Sequence, residues 1–257
     1  MIGALAFILG TVLGSFLNVC IYRIPRKISL VKPDSFCPKC GIRIPMYLNI
    51  PLLSYLLLKG RCRRCQERIP IQYPLVELLG GFLTLFTYLK FGLTPSFLFY
   101  AAFFYFLIVI SFIDLERKLI LNKVLVWMLA AGLGLNLVFH ILPYQQSLLG
   151  FLAGGGLMLL FAFLGNLMFR KESMGMGDVK FAAVAGIFLG WKMIMVALFC
   201  GFLIAFLILI SMMALQKTSV GEYIPLGPFL AMGLIIFVFW GNQLMNWYWQ
   251  TFVMPPG

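Results

Sequence analysis

The chain has 257 residues, 62% of them apolar and 11% charged, with a formal net charge of +12. A soluble domain carries about a quarter charged residues, so this composition excludes an ordinary water-exposed globule. The apolar residues fall in blocks close to the ~20 that a helix needs to cross a bilayer, and the expected fold class is an all-α polytopic membrane protein.

Eight spans are expected, at 2–21, 73–90, 96–113, 119–141, 148–169, 179–191, 193–215 and 226–249. The first lacks a basic leading region and a small-residue cleavage site, which argues for a retained helix and against a removed signal. Gly14 and Ser15 give it a surface on which another helix can pack closely. The sixth is short and interrupted by glycine, and reads as a full span or a half-span. Two modules are expected. Residues 1–72 form one span and a large polar loop, and residues 73–257 form an almost continuous membrane bundle. Within the loop, residues 47–58 (YLNIPLLSYLLL) are apolar but too short to span. They suit an interfacial or re-entrant segment, or a small helix packed on the loop's own core.

Residues 23–72 hold eleven cations against Asp34 and Glu67. With the N-terminus outside and eight crossings, 18 of the 20 cations lie on the cytoplasmic side, with only Lys90 and Lys192 outside. That split is what the positive-inside rule asks for, and it puts the loop on the cytoplasmic side of the membrane. The excess charge is first a topology signal. Attraction to anionic lipid follows, at about 1 kcal/mol per cation near the surface. Nucleic acid is not an expected partner.

Six cysteines divide into two groups. Cys20 and Cys200 sit in apolar spans as small hydrophobes. Cys37-Pro-Lys-Cys40 and Cys62-Arg-Arg-Cys65 are two Cys-x-x-Cys knuckles separated by 21 residues. Two knuckles offer four thiolates to a tetrahedral, coordinatively closed zinc ion, which leaves no position for catalytic water. A pair of disulfides is the alternative, against which stands the reducing cytoplasm.

Acids are scarce outside the basic loop: Glu77, Asp114, Glu116, Glu172, Asp178 and Glu222. Asp114 ends the apolar run from Phe103 to Ile113, and Asp178 opens a span in Met174-Gly-Met-Gly-Asp-Val-Lys180. An ionised Asp within a span costs about 2.5–3.5 kcal/mol or more, so such residues tend to face a cavity. In the topology above both lie at the cytoplasmic membrane level. Two carboxylates sharing a proton can activate water and protonate a leaving amine. Each also has a plainer reading, Asp178 as a helix N-cap and Asp114 as the end of a span beside Arg117 and Lys118. Gly175 and Gly177 would let backbone approach a substrate strand.

With these residues in view, Gly14-Ser-Phe-Leu-Asn-Val-Cys-Ile-Tyr-Arg-Ile-Pro25 resembles the opening motif of bacterial type IV prepilin peptidases. The knuckles follow in that family's order, with Asn49-Ile-Pro-Leu-Leu-Ser-Tyr55 between them and Ile69-Pro-Ile-Gln-Tyr-Pro-Leu-Val-Glu-Leu-Leu79 after. Asp114, Gly175-Met-Gly-Asp-Val-Lys180 and Ile224-Pro-Leu-Gly-Pro-Phe-Leu-Ala231 resemble its later motifs. The sequence departs from the pattern at Ile120-Leu-Asn122, which lacks a proline, and at Leu226, where Phe is common.

The resemblance implies Asp114 and Asp178 as the catalytic pair and Cys37, Cys40, Cys62 and Cys65 as structural zinc ligands. It implies prepilins or pilin-like pseudopilins as substrates, cut after the Gly that ends a short basic leader. It further implies N-methylation of the new N-terminal residue, typically Phe, from S-adenosylmethionine, with residues 1–72 associated with that step. Gly175, Gly177, Lys180, Glu77, Asn18 and Arg23 are candidates for substrate or methyl-donor contact. Helix packing, capping and lipid contact are the plainer roles of Glu77, Asn18 and Arg23. Two other classes compete: a transporter using membrane-edge acids as ion relays, and a membrane-tethered zinc-ribbon interaction module. The single histidine, His140, reads as an interfacial polar tip.

Overall fold

The computed structural model of the chain describes residues 1–32, 35–45, 50–169, 174–215, 224–248 and 250–251. Among the described residues eight helices follow in order: α1 (Ile2–Arg23), α2 (Leu53–Leu57), α3 (Gln72–Phe91), α4 (Pro95–Arg117), α5 (Asn122–Phe139), α6 (Tyr144–Phe169), α7 (Met176–Ala214) and α8 (Gly227–Tyr248). Among the described residues the only β pairing is two isolated bridges, Phe36 with Arg43 and Arg61 with Arg68. Seven helices, all but α2, are long and apolar enough to cross a bilayer. Lipid cannot hydrogen-bond a bare backbone, so apolar runs of this length close their own bonds as helices. The chain is a multi-pass, all-α membrane protein, as its composition leads one to expect.

The packing divides into two units, Met1–Ile113 and Asp114–Gly257, so the boundary falls inside α4. In the first unit α1 and α3 pack through glycine. A Cβ added to Gly10 would lie 2.5 Å from the Gly80 carbonyl oxygen, and one on Gly14 would lie 2.8 Å from Glu77 Cα. Without a hydrophobic drive between helices in lipid, such small residues supply the contact by letting backbones meet. The opposite face of α1 leaves Leu5, Ile8, Leu9, Val12 and Phe16 exposed. In water that stripe would be a liability; in a bilayer it faces the solvent.

The second unit uses the same device between α6 and α7. Cβ atoms on Gly150 and Gly186 would lie 2.1 and 2.0 Å from each other's carbonyl oxygens. The 39 residues of α7 do not form one rod, because Gly190 leaves helical geometry at φ 74, ψ 169. A Cβ on Gly154 would lie 2.4 Å from the Ala182 carbonyl oxygen and 3.1 Å from Ile194 Cγ1. Twelve residues of straight helix would separate those positions by about 18 Å, so the chain doubles back at Gly190. A positive φ of this kind is open to glycine and strained for other residues. The expected sixth and seventh spans are thus the two arms of one kinked element. The first arm, 176–189, is the short one, about 21 Å long. The second arm meets α8, where a Cβ on Gly233 would lie 2.5 Å from both the Ala197 carbonyl oxygen and the Gly201 nitrogen.

Of the apolar segment at 47–58, the described residues form only the five-residue α2, with none of them buried, so it is not a core helix of the loop. Tyr47, Leu48 and Asn49 lie outside the described residues, as do Asp34, residues 170–173 with Glu172, and residues 216–223 with Glu222. His140 caps α5 in a left-handed conformation, with its ring edge-on to Tyr144 at 5.7 Å between centroids.

Candidate functional site

The four loop cysteines come together through two turns of the same design. Cys37 N–H donates to the Ile42 carbonyl at 3.0 Å and Gly41 N–H to the Cys37 carbonyl at 2.9 Å. In the second knuckle Cys62 N–H donates to Glu67 at 2.8 Å and Gln66 N–H to Cys62 at 3.1 Å. In each, the residue after the second cysteine takes a left-handed conformation, Gly41 at φ 68 and Gln66 at φ 56. Lys39 and Glu67 form an ion pair that ties one knuckle to the other.

All six cysteines are free thiols, which sets the disulfide alternative aside for the described structure. The four sulfurs lie within 4.8 Å of one another, with Cys37 to Cys65 at 3.8 Å and Cys40 to Cys62 at 4.0 Å. A tetrahedral tetrathiolate centre with bonds of about 2.3 Å has sulfur–sulfur edges of about 3.8 Å, so the cluster fits a metal ion of that kind. Backbone N–H groups of Cys65 and Arg64 hold the Cys62 thiol down to about 6. Cys65 is pushed up to about 11: the Glu67 backbone N–H lowers it, but desolvation and the neighbouring thiols outweigh that. One thiolate forms readily and the next is resisted, the conflict that a bound dication removes.

The aspartates are assembled differently. Asp114 lies in the last turn of α4 and is 2% exposed; Asp178 lies in the first turn of α7 and is 5% exposed. They are close enough for the charge of Asp114 to act directly on Asp178. Asp114 Oδ2 accepts a hydrogen bond from the Gly227 N–H at 3.0 Å. That amide is the first of α8, one of the orphan donors at a helix N-terminus where negative charge is favoured. A Cβ at Gly227 would lie 2.8 Å from Asp114 Oδ2, so a side chain there would displace the carboxylate.

Asp178 is not the N-cap of α7. Gly175 holds that position without a side-chain cap, and Asp178 N–H donates to the Gly175 carbonyl at 3.1 Å from inside the first turn. Gly177 packs on Ile120, where an added Cβ would lie 3.0 Å from Ile120 Cβ. Lys180 reaches Asn122 Oδ1 at 3.2 Å, which ties α7 to the start of α5. Arg117 pairs with Glu116 at 3.5 Å.

The remaining candidates all lie in the first unit. Arg23, 4% exposed, donates to the Ser29 and Leu30 carbonyls at 2.9 and 3.4 Å and fastens the loop to the end of α1. Asn18 on α1 donates from Nδ2 to the Tyr73 carbonyl of α3 at 3.0 Å. Glu77 accepts from the Leu52 N–H at 2.8 Å. Sequence reasoning did not single out Gly227 as a site residue. The available signal was a Gly-Pro pair at a helix start, where proline suits the first turn.

Residues 8–91 match the bacterial peptidase A24 N-terminal domain, and residues 101–210 match the type IV leader peptidase family. A prepilin leader peptidase/N-methyltransferase of Aeromonas salmonicida (strain A449) is 33% identical over 275 residues, covering 96% of this chain and 94% of the relative. One of Neisseria gonorrhoeae is 35% identical over 279 residues, covering 96% and 94%. One of Legionella pneumophila is 34% identical over 259 residues, covering 91% and 90%. No solved structure matches the chain significantly. Both aspartates fall within the leader-peptidase match, and relatives more than 30% identical run nearly end to end with it: the chain belongs to the type IV leader peptidase family.

Proposed function

We propose that this protein removes the leader from prepilins or pilin-like pseudopilins with Asp114 and Asp178, then N-methylates the new N-terminal residue. The observation that carries the reading is the pair of interacting, buried carboxylates, one of them pinned by the α8 amide. The names of the relatives support both halves of the activity.

In the peptidase step, one carboxylate takes a proton from water as the water oxygen attacks the scissile carbonyl carbon. The proton held by the pair hydrogen-bonds the carbonyl oxygen as negative charge develops there. When the C–N bond breaks, the leaving amine takes a proton from the dyad. Gly227 N–H can only donate, so it holds Asp114 Oδ2 as an acceptor. An ion-relay reading would need a polar path open to both sides, and nothing among the described residues favours it.

Cys37, Cys40, Cys62 and Cys65 would hold a structural Zn²⁺, which closes its own shell and takes no part in proteolysis. S-adenosylmethionine, when bound, supplies an electrophilic methyl group. The protein's part is to present a neutral amine to it, and with a free α-amine pKa of about 7.7–8.0, modest desolvation is enough. The cation distribution supports a bacterial inner-membrane protein with the zinc loop and dyad on the cytoplasmic side, where the basic loop also meets anionic lipid.

Incubating the purified enzyme with a prepilin and measuring product masses tests the reading, since leader loss and one added methyl are separate signals. An intact substrate would overturn it. For orientation, reporter cysteines at 170–178 should be shielded from an impermeant reagent in intact cells while one near Lys90 is labelled. The reverse pattern would invert the topology.

A further inference from the structure

The short helix α2 is apolar, exposed and fastened to a spanning helix. Leu53, Leu56 and Leu57 have the i, i+3, i+4 spacing of one helix face, and all three are exposed, Leu56 at 71% and Leu57 at 67%. Ile71, just ahead of α3, is exposed as well. In water such a face is a liability. Its attachment sets its level. The 20 residues of α3 reach about 30 Å, the thickness of the hydrocarbon layer, so its first residue lies near the membrane boundary on the side of the loop. Glu77 is about 8 Å further along that helix, and its Oε2 accepts from the Leu52 N–H at 2.8 Å. The start of α2 is thereby held at the level where interfacial helices bury their apolar face, ~5–10 Å past the boundary. Backbone at that level has to close its own hydrogen bonds. The Ser54, Leu56, Leu58 and Gly60 amides do so, donating to the Ile50, Leu52, Ser54 and Tyr55 carbonyls at 2.9 to 3.1 Å.

The second cysteine knuckle is hooked onto the end of this helix from both sides. Arg61 N–H donates to the Leu58 carbonyl at 3.0 Å, and Ile69 N–H donates to the Gly60 carbonyl at 2.8 Å. Between those bonds lie Arg61, Arg63, Arg64 and Arg68, with Lys59 just before them, all exposed. The single acid of that stretch, Glu67, is paired with Lys39. We propose that α2 is a membrane foot of the cysteine loop, its leucines among the acyl chains and the cations of the second knuckle on the anionic headgroups of the same leaflet. The charge selects this occupant: a leucine face bordered by cations is the pattern of a segment lying in an anionic leaflet. The foot would hold the thiol cluster against the bilayer surface. This goes beyond the function proposed above and stands whichever chemistry the dyad performs.

Photolabelling of full-length, metal-loaded protein in nanodiscs tests the foot. The probe is phosphatidylcholine with a diazirine on its acyl chain, used with and without added phosphatidylglycerol, and labelled peptides are mapped by mass. With phosphatidylglycerol present, the peptide that holds α2 should be labelled alongside the spanning helices; without it, that labelling should fall severalfold. Leu56→Glu combined with Leu57→Glu should cut labelling of α2 roughly tenfold or more and leave α1 and α3 labelled as before. Metal content and melting temperature report whether that variant is folded. Arg63→Gln combined with Arg64→Gln keeps the leucines, and it should erase most of the gain from phosphatidylglycerol. A folded wild type with labelled spans and an unlabelled α2 would overturn the foot. Labelling of α2 that an added prepilin displaces would overturn it in favour of a substrate surface. Labelling that ignores both phosphatidylglycerol and the arginine changes would overturn the choice of an anionic leaflet.

Discussion

Each cysteine knuckle closes on itself within six residues, whereas the aspartates, 64 positions apart, meet only because α4, α7 and α8 bring them together. The thiol cluster is partly exposed, and its geometry is written in local turns and a Lys39–Glu67 pair. The carboxylates are buried, and their geometry depends on glycine contacts along whole helices. A site built from local turns tolerates change elsewhere in the chain but fails when its own residues or its metal are lost. A site built from helix packing fails for changes that touch no catalytic atom.

The largest expected effect is at the dyad itself. Asp114→Asn or Asp178→Asn should lower leader cleavage by roughly 10³-fold or more, while zinc content and membrane insertion persist. The wild-type pH profile of kcat/KM should be bell-shaped, with limbs that belong to the pair. Near-normal turnover by either variant, measured by product mass, would remove the carboxylates from the comparison.

Gly227→Ala sharpens the contrast, because it leaves both aspartates in place. Its Cβ would fall 2.8 Å from Asp114 Oδ2, so the carboxylate or the start of α8 must shift. Misplacement on the ångström scale costs about 10²-fold in rate, so kcat should drop by that order while the methylation of a pre-cleaved peptide continues. An unchanged kcat would mean that the Gly227 contact does not set the geometry of Asp114.

Replacing Cys37 and Cys40 together by serine should remove the metal and loosen the loop, impairing methylation severalfold more than cleavage. The comparison belongs on folded, purified protein, since loss of a structural metal can unfold its lobe. Protons compete with the metal for the four sulfurs, so a chelator should strip the wild type more readily as pH falls. A metal-free but folded variant that methylates normally and fails only to cleave would reverse the division between the two sites.

The smallest effect is at the second knuckle, where Gln66 sits at φ 56 in the position that the first knuckle gives to Gly41. Gln66→Gly should relieve that strain and stabilise the lobe by about 0.5–1 kcal/mol, read as a small rise in its thermal unfolding. A fall would mean that a contact of the Gln66 side chain outweighs its backbone strain.

Apolar run length and the scarcity of charge determined from sequence alone that this chain is a bundle of membrane helices, because a helix is the only way such runs satisfy their backbone in lipid. The knuckles were equally legible, since a Cys-x-x-Cys turn is a short-range object whose spacing already holds its geometry. Asp114 and Asp178 stood out as acids in apolar surroundings, but their separation in sequence carries no distance. What brings them together is the packing of the second unit, including the reversal of α7 at Gly190 and the α8 amide that meets Asp114.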